Sequence, residues 1–560
     1  PVGPTGLGAE SELYRFNWNS PIHMSPNNPD IIYYGGNVLF KTTNSGNSWE
    51  IISPDLTRND QTKMEASGGP ITKDTTYVEH YGTIFSFAES SHEKGVFWSG
   101  SDDGLVHISH DGGESWNQIT PTGMPRMTRI DIIELSTHNP ASAYLAATRY
   151  QQDDMRPYLY KTNDYGKSWV KITDGIPADD FTKVIREDPK KPGLLYVGTE
   201  TGIYVSFNNG DSWQTLQLNL PAVPVTDLVI KDDELVISTN GRSFWILDGL
   251  EVLHQLCDGI SKTEIHLFTP KSVHRVSQMV FGGQARKSIP GKNYLLSLGI
   301  PATYIESKTI SGVSQKKMLD SGTNPSYGVS IHYYLPVSPK NVTITFFNSQ
   351  GEEVNKFFSQ TSTENPPSDF DTPFVAVDKG MNSFIWDMRH SDADNITGDG
   401  ALHEGLSGPL ALPGTYKVEI TVDGSVKTEF FDIFRNPSTL SAQKDLEKQF
   451  DLLIQIREKL SRTNRVVNQS RKIRQELYNC IERAKWKPYA VDVAEKATKL
   501  LQKLIAVENI LSDPKKQAGT TDMLNRPARL NAKLAELSFV PSSDDSAPTC
   551  QTYEVFDYLC

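Results

Sequence analysis

The sequence predicts a mainly β chain in four parts: propeller blades over residues 1–250, a connector over 251–325, a β-sandwich over 326–436 and a helical hairpin or bundle over 437–560. Three observations carry that division. A short turn ending in tryptophan occurs four times, each copy following a pair of apolar runs, and repetition at this spacing marks a propeller or solenoid. Short runs rich in β-branched and aromatic residues, punctuated by glycine, then continue as strands do. From Ser438 the apolar residues fall three or four apart, with Leu446, Phe450, Leu453, Ile454 and Leu460 on one face, which is a helical period.

The repeated turn occupies residues 42–49, 109–116, 162–169 and 206–213, in the common form Ser/Thr-x-Asp/Asn-x-Gly-x-x-Trp. Asn44, Asp111, Asp164 and Asn208 carry a side chain that folds the turn by hydrogen-bonding the backbone ahead of it. Gly46, Gly113, Gly166 and Gly210 accept positive φ. Trp49, Trp116, Trp169 and Trp213 are expected to bury their rings in the blade core, needing a partner only for the indole N–H. All twelve residues are read as structural.

This turn is similar to the Asp-box, or bacterial neuraminidase repeat, of sialidase-like and sortilin-like β-propellers. The wider chain resembles large secreted Asp-box proteins often labelled glycosyl hydrolases. The resembling stretches are Tyr14-Arg-Phe-Asn-Trp-Asn19, Ser101-Asp-Asp-Gly-Leu-Val-His107, Val184-Ile-Arg-Glu-Asp188, Tyr196-Val-Gly-Thr-Glu-Thr-Gly202 and Asn240-Gly-Arg-Ser-Phe-Trp-Ile-Leu-Asp248. Gly380-Met-Asn-Ser-Phe-Ile-Trp-Asp-Met-Arg389 and Pro413-Gly-Thr-Tyr416 resemble the immunoglobulin-like module of the same group. The resemblance covers most of the chain. It implies a propeller, an immunoglobulin-like sandwich and a helical tail in a protein secreted or held at the cell surface. It is much less specific for activity, since one fold hosts many functions.

Taken in order, residues 30–35 and 38–41 lead into the first turn, 96–100 and 105–108 into the second, 143–147 and 158–161 into the third, and 194–198 and 203–206 into the fourth. A fifth unit, with runs at 227–230, 234–238 and 243–247, lacks the turn. Residues 23–250 thus hold about five blades. Five blades are enough to close a ring. The proteins this chain resembles usually carry more blades upstream, which implies a larger propeller, completed by another chain or an upstream segment; an open arc would leave unpaired edges, which proteins avoid. Sandwich strands are expected at 329–335, 342–347, 382–387 and 416–422. Helices are expected up to about Lys485, over about 490–511 and about 528–537, with the start of another from Tyr553. The chain opens on Pro1 rather than Met, which reads as a processed or trimmed start.

Composition narrows the partners. The net charge of −13 argues against nucleic acid, which needs a basic face, and against an anionic membrane surface. No stretch reaches the ~18 apolar residues of a membrane span. Cys257, Cys480, Cys550 and Cys560 form no Cys-x-x-Cys pair, so no zinc site is expected. No cofactor or metal is expected: the acidic turns Asp102-Asp103 and Asp232-Asp233 fall short of the six or so oxygens of a calcium site. A Gly-x-Ser-x-Gly elbow, a His-Glu-x-x-His pair and a phosphate-binding loop are all missing.

Strand order locates the candidate site. In a blade A-B-C-D the repeated turn joins C to D, so the B-to-C turns and the links into strand A share the opposite face. That face gathers His80, Tyr81, Asp102, Asp103, Arg149, Asp153, Asp154, Arg156, Glu200 and Arg242. A glycosidase needs two carboxylates roughly 5 or 6.5–9.5 Å apart, and Asp102, Asp154 and Glu200 are the candidate catalytic acids. His80, Tyr81, Asp103, Arg149, Asp153, Arg156 and Arg242 are candidate binding residues for a protein or glycan. A sialidase reading has an arginine cluster, a tyrosine and acids to draw on, but the Phe/Tyr-Arg-Ile-Pro element is missing. The competing reading is that these charges pair with one another and stitch neighbouring blades together.

Overall fold

The computed structural model describes residues 8–9, 12–71, 73, 78–256, 260, 264–276, 292–297, 300–308, 314–319, 327–359, 374–398, 401–402, 405–513 and 526–560. It divides into two compact units, Pro1–Gly259 and Ile260–Cys560.

The first unit is a succession of antiparallel meanders. The first sheet is Ile22–Met24, Ile32–Gly35, Leu39–Thr42 and Glu50–Ile51. The second is Ile84–Glu89, Phe97–Ser101, Val106–Ser109 and Asn117–Gln118. The third is Arg129–Leu135, Ala143–Arg149, Asp154–Thr162 and Val170–Lys171. The fourth is Thr182–Glu187, Leu195–Thr199, Ile203–Ser206 and Gln214–Thr215. A fifth has three strands, Val225–Lys231, Glu234–Thr239 and Phe244–Leu247, followed by helix α1, Glu251–Leu256. Strands are called A to D in chain order below.

Burial explains the sequence pattern. Strand B of the second and fourth sheets is buried on both faces, so it reads as a continuous apolar run rather than an alternating one. Strand D is two exposed residues in every four-stranded sheet. The core lies between consecutive sheets: Trp98, Ile130 and Leu145 fill the space between the second and third, and Tyr144, Leu159, Ile185 and Trp213 that between the third and fourth. Strand A of each sheet packs on strands A and B of the one before, which lines the A strands up side by side. Gly100 and Gly198 permit that approach, because a Cβ there would come 2.4 Å from Ile130 and 2.5 Å from Val225.

The second unit holds a sandwich of a three-stranded and a five-stranded sheet, closed over Trp386, Phe346, Tyr333 and Ile344. The region expected to be a connector carries its own order. His266–Leu267 and Val273–His274 are edge strands of the two sandwich sheets, and Lys292–Ser297, Ile300–Lys308 and Ser314–Met318 form a separate meander. Helices α2 (Gln443–Ala484), α3 (Ala490–Leu511), α4 (Leu530–Phe539) and α5 (Cys550–Leu559) follow. Leu452, Ile456 and Leu460 of α2 pack on Leu534 and Leu537 of α4 and Phe556 of α5. Among the described residues no helix is long and apolar enough to cross a membrane.

Candidate functional site

The B-to-C turns and the entries to strand A do share one face of the first unit. The backbone N–H groups of Asp102, Glu200 and Asn240 donate to the carbonyls of Thr83, Phe181 and Pro224 at 2.9, 3.1 and 2.9 Å. The acids placed there act largely as clasps between those two elements. Asp102 is 5% exposed and accepts from the backbone of Gly82 and Thr83 and from the Thr83 hydroxyl at 2.9–3.0 Å. Asp103 accepts from Ser101 at 2.6 Å and from the Arg58 backbone at 2.7 Å. Asp180 does the same work in the fourth sheet, bound to Thr199 and Thr201 at 2.8 and 2.7 Å, and Asp55 in the first, bound to Asn37 and Arg15 at 2.9 and 2.8 Å.

Burial pushes Asp102 from 3.8 up to about 7, against the pull of its three donors, and burial likewise raises Asp103. Between those two values the folded chain keeps a proton that the unfolded chain has shed. Asp102's contribution to stability is therefore complete below about 4 and lost as pH rises towards 7. The stability advantage of the parent over Asp102→Asn is expected to shrink across that range in urea titrations. A gap that stays constant with pH would show that Asp102 is ionised in the fold throughout.

The insert in the third sheet is a tight ion cluster. Tyr150–Gln152 makes one 3₁₀ turn, closed by Asp153 in the left-handed region at φ 56°. Arg149 and Asp154 thus face each other across the turn, paired at 3.2 Å. Asp154 also accepts from Arg156 twice at 2.8 Å and from the Tyr158 hydroxyl at 2.7 Å. These bonds, Arg156's foremost, hold its carboxyl well below the usual range. Glu200 pairs with Lys183 at 2.8 Å. His80 is buried, which lowers its pKa, and Tyr81 donates to the Met127 sulfur at 3.4 Å. Arg242 stands apart on the fifth sheet, exposed, its backbone bonded to Thr239 and Trp245.

A second set of residues is built by register. Strand A carries a β-bulge at the corresponding place in four consecutive sheets, and the extra residues are Phe85, Asp131, Lys183 and Thr226. Bulges re-aim side chains and concentrate near functional sites. Around them Arg129 lies 4.6 Å from the Phe85 ring centre and 5.5 Å from that of Tyr150. Tyr150 stacks on Phe181 at 5.0 Å, and the Lys183 ammonium stands 5.2 Å from the Phe181 ring. Arg129 pairs with Asp131 at 2.7 Å, and burial pushes Asp131 up to about 7 against that pairing. Further along the A strands, Arg186 joins Glu134 of the third sheet (3.1 Å) to Asp227 of the fifth (2.8 Å). The result is a stacked aromatic and cation platform, suited to holding a ligand by its faces, in which Asp131 meets Arg129 through one carboxylate oxygen while the other is buried with no hydrogen-bond partner among the described residues. Among the described residues no group of three or more His, Cys, Asp or Glu side chains gathers as a metal centre would.

Successive up-and-down sheets packed through their first strands define a β-propeller type of protein. No family model matches the chain and no curated protein does. Solved structures similar to it include the GH74 xyloglucanase of Xanthomonas campestris (15% identity, TM-score 0.33, 41% of this chain and 36% of that one). Another is the GH74 enzyme of Niastella koreensis (14%, 0.30, 73% and 67%). A third is YCF48 bound to D1 peptide (13%, 0.25, 39% and 64%). The chain thus spans about a third of the xyloglucanase. At such identities the chemistry of each of these proteins stays its own.

Proposed function

We propose that this chain is a secreted or cell-surface interaction module. In this reading an Asp-box propeller of about five blades, comparable to sortilin-type propellers, holds a protein or glycan ligand against its bulged A strands. The sandwich, read as immunoglobulin-like, and the helices extend it as a subunit of an extracellular assembly. One observation carries the reading: the candidate catalytic carboxylates are occupied. Asp154 is held by Arg149, Arg156 and Tyr158, Asp102 by Gly82 and Thr83, and Glu200 by Lys183. What remains at the platform is Tyr150, 36% exposed and stacked on Phe181.

The test is to probe peptide and glycan arrays with the whole chain, then titrate the best binder. Tyr150→Ala is expected to weaken binding about tenfold or more, roughly 1.4 kcal/mol, while Arg242→Ala leaves it unchanged and no product appears. Product release that disappears in both Asp154→Asn and Glu200→Gln would overturn the reading in favour of a glycoside hydrolase. That second reading pairs Asp154 or Glu200 with Asp102, whose carboxyl is pushed to about 7, the range in which a general acid works. Recovery of the chain from the medium or surface fraction of its own cells tests the proposed location.

A further inference from the structure

Two helices of the second unit end in a finger. Glu508 of α3 meets Arg471 and Arg474 of α2, so α3 runs back along α2 from a turn at 485–489. Helices α4 and α5 cover α2 towards its other end, on Leu452, Ile456 and Leu460. Beyond Ser470 the one buried residue of α2 is Ala484, and α3 buries Ala497, Leu501 and Glu508. From Ser470 to Ala484 a helix rises about 21 Å. The turn therefore stands at the tip of a two-helix hairpin.

That tip carries side chains that a water-facing turn does not need. Trp486 is 89% exposed, Tyr489 57% and Val491 80%. Around them stand Arg483, Lys485 and Lys487, all exposed. Lys485 shares Glu482 at 3.5 Å. Arg483 donates to the Asn479 carbonyl at 3.3 Å, and among the described residues neither it nor Lys487 has a carboxylate partner. The whole-chain charge of −13, which disfavours an anionic surface, belongs to the first unit. Residues 1–259 hold 19 Lys and Arg against 34 Asp and Glu, a net −15, and residues 260–560 hold 36 against 34, a net +2. In the hairpin, from Arg471 to Lys503, the balance is nine against four. Carboxylates at the base of the hairpin lie more than two Debye lengths from the tip at physiological salt, about 8 Å each, and are screened there.

We infer that the hairpin tip is a docking point for an anionic lipid surface. Tryptophan and tyrosine settle at the headgroup level of a bilayer, with the apolar ring inward and the polar atom in water. Trp486 and Tyr489 supply that pair and Val491 adds aliphatic area, while Arg483, Lys485 and Lys487 meet the anionic headgroups. Each such cation is worth about fivefold in affinity at an anionic surface. Three cations and three apolar side chains make a weak, reversible contact. Nucleic acid fits the tip less well, because it is held through a tract of about six to ten phosphate contacts, and Val491 offers a base nothing to stack on. The contact is separate from the ligand platform of the first unit and gives the chain a second point of attachment.

The experiment incubates the whole chain with vesicles of phosphatidylcholine alone, and of phosphatidylcholine and phosphatidylglycerol at two to one, and measures the bound fraction by sedimentation. Binding in low salt is expected to be about tenfold or more tighter to the mixed vesicles and to fall in high salt. Lys485→Glu combined with Lys487→Glu is expected to weaken it about tenfold or more, and Trp486→Ala about fivefold. All three positions are exposed, so helix content by circular dichroism and the urea midpoint should stay those of the parent. No binding to the mixed vesicles, equal binding to both compositions, or binding that these variants leave unchanged overturns the proposal. Capture of the chain on polyglutamate beads, lost in the same variants while vesicles stay unbound, overturns it in favour of an acidic protein partner.

Discussion

Trp213→Ala should destabilise the first unit by about 3–5 kcal/mol, whereas Trp49→Ala should cost less than about 1 kcal/mol. The two residues occupy the same place in the same turn. Trp213 is 4% exposed, lies among Tyr144, Leu159, Ile172 and Leu195, and gives its N–H to Ile172. Its removal leaves a cavity and an orphaned carbonyl together. Trp49 is half in water, so its loss removes little burial. Urea unfolding of each variant, followed by a signal assigned to the first unit, measures both costs. Equal losses would show that the turn stabilises its own sheet and that the neighbouring sheet contributes nothing.

Glu508→Ala should unfold the helical part of the second unit at markedly lower denaturant, by about 3–5 kcal/mol. Glu508 on α3 is 1% exposed at its side chain and accepts from Arg471 at 2.7 Å and from Arg474, both on α2. Arg471 also donates to the Thr397 carbonyl at 2.9 Å. Removing the carboxylate strands two partly buried guanidinium groups. Replacing all three charges with apolar residues, Arg471→Met, Arg474→Leu and Glu508→Leu, should recover most of the loss, because the cost lies in the unpaired charge rather than in the missing pair. A triple variant no better than Glu508→Ala would place the cost in helix packing instead.

Much of the architecture was legible because its signals are local. The apolar runs at 96–100 and 194–198 are B strands, and the run over 490–511 is α3. The repeated turn was readable from its eight residues, and Ser115 and Ser168 do bond Asp111 and Asp164 as that chemistry requires. Trp49 departs from the expected core position because burial of the ring depends on a neighbouring sheet, not on the turn. The order within 251–325 was not legible, since short edge strands such as His266–Leu267 are held by their partners and carry little pattern of their own. At the candidate site, the face was readable from strand order, but the pairing of Asp154 with two arginines and a tyrosine depends on a turn closed by Asp153. The bulged residues Phe85, Asp131, Lys183 and Thr226 left no mark, because a bulge is a mismatch between two strands and neither strand shows it alone.

Every latch in the first unit, an indole N–H of Trp116, Trp169 or Trp213 donated to a carbonyl of the sheet before, points backwards: a tryptophan later in the chain reaches an isoleucine synthesised earlier. As the chain leaves the ribosome, each of these tryptophans therefore meets an acceptor already synthesised, an order that suits folding from the N-terminal side. The same polarity sets how damage spreads. A lesion in one sheet deprives its successor of an anchor and leaves its predecessor's latch intact: truncation from either side of this unit bares the core between two sheets, and truncation from the N-terminal side should in addition free a tryptophan each time.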